Sequence, residues 1–206
     1  MVVIASFFLF QMADAQLFKY GAKAGIGFSN LSFSDVNNID DGTDVYNLVT
    51  GEAVTGWHLG AQTRIKIAML FVQPELYFNT GGANVNQVFE NGATEVLEIK
   101  FSSIDLPVLL GVKLGPIRLM LGPVGSYVIQ GENELTSLDP DYEMLSSSMT
   151  WGWQGGIGFG LSKFSIDLRY EGSLSTFGES MSIGGRDYTL DARPAQFLIS
   201  AGWWFN

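Results

Sequence analysis

Histidine chemistry has one place to occur in this 206-residue chain, because His58 is its only histidine. Paired with a serine on a neighbouring strand, such as Ser29, and oriented by a carboxylate, it would form the nucleophile and base of a hydrolase. Linear spacing does not single out that set, and a hydrogen-bonded histidine on a polar face fits the same pattern. The segment Asp35 to Asp44 (DVNNIDDGTD) offers oxygen ligands, but it lacks the Asp-x-Asp-x-Asp-Gly register and the twelfth-position Glu of a calcium loop. It reads as a solvated acidic loop. Gly25-x-Gly27 and Gly156-x-Gly158-x-Gly160 are not followed by helical sequence, so they are strand glycines and not phosphate cradles. With no Cys, the chain has no disulfide, thiolate nucleophile or Cys-based metal site. No catalytic, cofactor-binding or metal-ligating residue is assigned, and neither a cofactor nor an enzymatic activity is expected.

The elements that must position these residues follow from a two-residue period. Apolar side chains alternate with polar or glycine positions over 18–28, 57–67, 70–78, 104–112, 117–129, 151–161, 166–170 and 197–205, which predicts eight strands. Residues 151–161 are the plainest case, with Trp151, Trp153, Ile157, Phe159 and Leu161 on one face and Gly152, Gln154, Gly156, Gly158 and Gly160 on the other. Tight links are expected at Ala68-Met69, Gly115-Pro116 and Ser162-Lys163. Long polar links are expected over 31–55, 81–97, 131–148 and 176–193. An even strand count with short turns on one rim and long loops on the other predicts an all-β, antiparallel up-and-down transmembrane barrel, with both termini on the short-turn, periplasmic rim.

Alternation alone fits two barrels, one apolar outside in lipid and one apolar inside around a small ligand, as in lipocalins. Three features favour lipid. Tyr20, Trp57, Tyr127, Trp151, Trp153, Tyr170 and Trp203 lie on the apolar face near strand ends, where aromatic girdles sit. Glycine crowds the other face, as a narrow filled lumen requires. The last strand closes on Trp203, Trp204 and Phe205, an aromatic ending suited to outer-membrane assembly.

Val2 to Phe10 is an apolar run too short to span a bilayer, and Ala13-Asp14-Ala15 supplies the small residues of a signal-peptidase site, although no Lys or Arg precedes the run. The expectation is a signal peptide over 1–15, cleaved after Ala15, followed by a barrel over 16–206; the alternative is a buried first strand. The net charge of -10 excludes a nucleic-acid partner. Most of the carboxylates fall in or beside the long links. The polar strand face carries Glu75, Asp105, Asp167 and Glu171 against Lys19, Lys23, Arg64, Lys66, Lys113, Arg118 and Arg169. Eight strands leave room only for side chains, so these charges are expected to pair across strands as a plug and not to line an ion path.

The segments QLFKYGAKAGIGFSNLSF, VQPELYF, IDLPVLLGVKLG, LGPVGSYVI and IDLRYEGSL resemble the PorT-like outer-membrane β-barrel family of the Bacteroidota, over about 16–206. The resemblance implies an eight-stranded outer-membrane barrel; PorT itself is tied to assembly of a protein secretion system, and the shared residues are those that make a barrel. The expected function is therefore a non-enzymatic, monomeric outer-membrane barrel with a plugged polar lumen. It would dock envelope or secretion proteins through its loops or periplasmic rim, with outer-membrane lipid around it. Tyr46, Leu48, Leu135, Leu138, Tyr142, Met144, Leu145, Met181, Ile183 and Tyr188 either anchor a partner or extend strands above the membrane. The alternatives are a lipid-modifying hydrolase using His58 and a soluble lipocalin-like barrel.

Overall fold

A strand with one apolar and one polar face must bury one of them, and a sheet of such strands removes its open edges by closing on itself. The computed structural model describes residues 17–32, 36–40, 45–133, 149–174, 181–183, 186–188 and 193–206. The expected signal peptide lies outside them. The strands are β1 (Phe18–Ser32), β2 (Val36–Asp40), β3 (Val45–Ile67), β4 (Leu70–Phe89), β5 (Thr94–Leu114), β6 (Ile117–Asn133), β7 (Met149–Leu161), β8 (Phe164–Ser173), β9 (Met181–Ile183), β10 (Arg186–Tyr188) and β11 (Arg193–Trp204).

Nine strands form one sheet in the order β1-β11-β8-β7-β6-β5-β4-β3-β2, and β1 also pairs with β3. With β2 set aside as an edge addition, the remaining eight form a closed antiparallel ring. Ile26 of β1 faces Trp57 of β3 on one side and Ile199 of β11 on the other. The Asn206 side chain accepts from the Tyr20 amide at 3.1 Å and donates to the Phe18 carbonyl at 3.0 Å, stitching the seam at its end.

The sidedness is that of a membrane barrel. Leu110 is 60% exposed on the outer wall, while the next residue inward, Leu109, is 0% exposed. The rest of the wall repeats this, with Leu59, Leu121, Ile166 and Phe197 outside and Lys23, Gln73, Glu75 and Arg169 buried inside. That arrangement overturns the lipocalin-like alternative, whose interior would be apolar. Aromatic side chains gather at both levels of the wall. Tyr20 packs on Phe205 and Phe164 on Trp203 near the short turns; Trp57 packs on Phe78, and Trp153 and Phe197 on Tyr170, nearer the loops.

All three tight turns fall where the sequence places them, leaving two residues each between β3 and β4, β5 and β6, and β7 and β8. Ala68 and Ser162 hold φ of 55° and 56°, a left-handed conformation that costs a residue with a Cβ about 1–2 kcal/mol. Gly115, at φ 63°, adopts it freely.

The opposite rim corrects the sequence reading. The expected long link over 81–97 is mostly strand: β4 and β5 stay paired from Gly81 opposite Phe101 to Val88 opposite Thr94. They turn within 90–93, where Gly92 has φ 83° and the Asn91 side chain accepts from the Ala93 amide at 2.8 Å. Asn-Gly favours such a hairpin turn, and the cross-strand pair Val85 and Leu97 is buried, so the hairpin has an apolar interior of its own. Likewise β3 begins at Val45, inside the expected 31–55 loop, and pairs with β2 and with the end of β4. At 23, 20 and 21 residues, β3, β4 and β5 are about twice the 9–11 residues that a tilted strand needs to cross a bilayer. Tyr46 and Leu48 therefore lie in a strand extension, and Met181, Ile183 and Tyr188 lie in the β9–β10 hairpin. Leu135, Leu138, Tyr142, Met144 and Leu145 lie outside the described residues.

Candidate functional site

Residues two apart on a strand share a face, so the inward positions of β4 present Gln73, Glu75 and Tyr77 in a row, and those of β8 present Asp167, Arg169 and Glu171. The rows interlock at mid-barrel. Arg169 grips Glu75 with both terminal nitrogens at 2.8 Å, and Lys23 from β1 reaches the same carboxylate at 2.8 Å. Gln73 donates to its other side. Asp167 joins Arg169 and Arg118 of β6, each at 2.7 Å. Gln154 of β7 donates to the Tyr77 hydroxyl and to Glu171, both at 2.6 Å, and accepts from Arg169 at 3.1 Å. Buried charges persist only when paired and hydrogen-bonded in this way, and taking one partner from such a pair typically costs 3–5 kcal/mol.

Of the predicted lumen charges, this plug unites Lys23, Glu75, Arg118, Asp167 and Arg169. Arg64 joins through Gln73 at 2.7 Å, with its guanidinium 4.4 Å from the Trp204 ring centre and 5.0 Å from that of Phe71. Glu171 joins through Gln154, and the remaining charges stay apart. Asp105 accepts from the Ser103 hydroxyl at 2.9 Å, and Glu171 from Gln154 and Gln196; neither carboxylate has a cation within salt-bridge reach among the described residues. Lys19, Lys66 and Lys113 lie half-exposed toward the short turns.

The glycine face now has its reason. A Cβ on Gly158 would stand 2.6 Å from an Arg118 terminal nitrogen, and one on Gly156 would stand 2.9 Å from Cγ of Arg169. The arginines, together with the Asp167 carboxylate at Gly158 and the β8 backbone at Gly156, occupy the volume those side chains would need.

His58 is buried and its Nε2 lies 2.8 Å from the Ser200 hydroxyl. Ser29, the serine suggested by sequence, instead donates to the Gly82 carbonyl at 2.7 Å and accepts from the Gly82 amide at 3.0 Å. The true partner was concealed by register. Gly25 of β1 faces His58 on one side and Ser200 on the other, and a Cβ there would stand 2.7 Å from the imidazole. The missing side chain lets His58 reach across β1. Among the described residues, the buried Nδ1 of His58 has no hydrogen-bond partner and no carboxylate orients the ring as a hydrolytic triad requires. Among the described residues, no group of three or more His, Cys, Asp or Glu is placed to hold a metal. Of the acidic segment 35–44, only 36–40 is described, and it is strand.

A family profile described as outer membrane protein beta-barrel domain matches residues 12–177. The chain belongs to that family. As an outer-membrane barrel it lies in the outer membrane, held by the apolar wall described above. Similar solved structures include Ail, the attachment invasion locus protein of Yersinia pestis, at 15% identity and TM-score 0.46, covering 91% of this chain and 98% of that one. Neisserial surface protein A is similar at 11% identity and TM-score 0.47, covering 89% and 96%. The outer-membrane protein AlkL, studied in lipid bilayers, is similar at 12% identity and TM-score 0.44, covering 90% of each chain. No curated protein matches the sequence.

Proposed function

We propose that this outer-membrane barrel is a non-enzymatic docking component, a PorT-like part of envelope assembly or protein secretion in a member of the Bacteroidota, which presents its strand extensions and loops to another protein. The observation that carries this reading is the division of the barrel into a filled interior and a projecting sheet. Lys23, Glu75, Gln154 and Arg169 close the lumen with side chains at most 3% exposed, whereas β3, β4 and β5 continue well beyond the length needed to cross lipid. A barrel that carries solute needs space where this one has salt bridges. The wall anchors the protein in lipid as a monomer, and the extended sheet provides paired backbone and side chains for a partner to grip. On this reading residues 1–15 are removed on export and Gln16 begins the mature chain. Affinity purification from gently solubilised outer membranes tests it. Co-purification of envelope or secretion proteins, lost when 84–96 is replaced by a short turn, is the expected result; unchanged recovery after that replacement counts against it. His58→Ala is expected to leave every phenotype intact, and a lost lipid-modifying activity in that variant would instead favour a hydrolase.

A further inference from the structure

The short-turn mouth of the lumen is built unlike the rest. Lys19, Arg64, Lys66, Lys113 and Arg118 converge there on a cavity of about 60 Å³ beside Trp204, and among the described residues no carboxylate lines it. Register makes the crowding sharper: Lys19 of β1 faces Arg64 of β3, and Lys113 of β5 faces Arg118 of β6. Like charges directly opposite one another on paired strands are destabilising, and this mouth contains two such pairs. Among the described residues, the buried Arg118 has no hydrogen-bond partner for its Nε, and none of the three lysines is in a salt bridge. Four cations without a carboxylate partner among the described residues, and a fifth, Arg118, whose Nε is free while Asp167 holds its terminal nitrogen, converge on one cavity with the charge and donors that suit a multiply charged anion.

We propose that this mouth binds a phosphate-type oxyanion, either free phosphate or the phosphate of a lipid headgroup reaching over the rim. The cavity has room for a water-sized or larger polar group, enough for one oxyanion group. The two arginines supply rigid donors: Arg64 is fixed by Gln73 and its two ring contacts, Arg118 by Asp167. Guanidinium groups suit phosphate oxygens, and the flexible lysines can close on the remaining charge. A headgroup has access because the turns here are only two residues long and the aromatic belt of Tyr20, Phe164, Trp203 and Phe205 sits at the same end of the wall.

The test uses the full chain refolded in zwitterionic detergent, with Trp204 as a fluorescence reporter beside the cavity. Inorganic phosphate is titrated against chloride at constant ionic strength, and a second arm compares vesicles of phosphatidylglycerol with vesicles of phosphatidylcholine. A saturable response to phosphate supports a site for the free ion, and one seen only with phosphatidylglycerol supports a headgroup site. In either case Lys19→Gln/Lys66→Gln/Lys113→Gln is expected to weaken binding at least tenfold. If that variant does not insert, Lys66→Gln alone is expected to weaken it about threefold. Absence of a saturable response in both arms, or one unchanged in these variants, overturns the proposal.

Discussion

The two ends of the lumen carry opposite charge. Among the described residues, the lining toward the loops holds Asp105 and Glu171 among Ser29, Asn79, Ser126 and Gln196, with no Lys or Arg; toward the short turns it holds Lys19, Arg64, Lys66, Lys113 and Arg118, with no Asp or Glu. Between them the alternating charges of Lys23, Glu75, Arg169 and Asp167 cancel in direct contact. The ends also use different means to hold charge in a confined interior. The loop end surrounds its carboxylates with neutral donors from Ser103, Gln154 and Gln196, whereas the short-turn end sets cation against cation. Neutral donors reach both carboxylates of the first end, although Oδ2 of Asp105 is left without a partner among the described residues. The second is left with charge for something from outside to neutralise.

The sharpest way to break this contrast is to remove the group that separates the ends. Glu75→Ala leaves Lys23 and Arg169 without their shared carboxylate, and a loss of about 3–5 kcal/mol is expected in urea unfolding of the refolded barrel. Gly158→Val acts one step toward the basic end by displacing Arg118 from Asp167. Overpacking of that kind costs about 1–3 kcal/mol, read from the same titration. Ala68→Gly touches neither charge cluster and only relieves the left-handed turn, so the barrel should gain about 1 kcal/mol. Asp105→Asn is the mildest change, because its hydrogen-bonding neighbour is a neutral hydroxyl. A shift of about 1 kcal/mol or less is expected, and a shift as large as that of Glu75→Ala would mean that the loop end depends on an ion pair after all.

Much of this was legible in the sequence because a barrel wall is periodic. Leu106, Val108 and Leu110 against Asp105, Pro107 and Leu109 gives strand, phase and sidedness in one short run. The plug was legible as an inventory but not as a wiring diagram: that Glu75 meets both Lys23 and Arg169 depends on strand stagger, which no linear spacing records. The Ser200 partner of His58 was hidden for the same reason, since it becomes a neighbour only when β11 closes on β1 across Gly25. The 81–97 segment looks like a loop in sequence because Gly81, Gly82, Asn84, Asn86 and Gln87 have the composition of one. The weaker signals that prevailed were the inward Ala83 and Val85 and the Asn91-Gly92 turn.

The central claim is that the interior is filled and sealed, so that whatever this barrel does happens at its ends and edges. The most direct measurement is the current through purified protein inserted in a planar lipid bilayer. A flat baseline with no steady, large conductance is expected, with Glu75→Ala the variant most prone to leak. A reproducible open channel in the unmodified chain would contradict the sealed lumen.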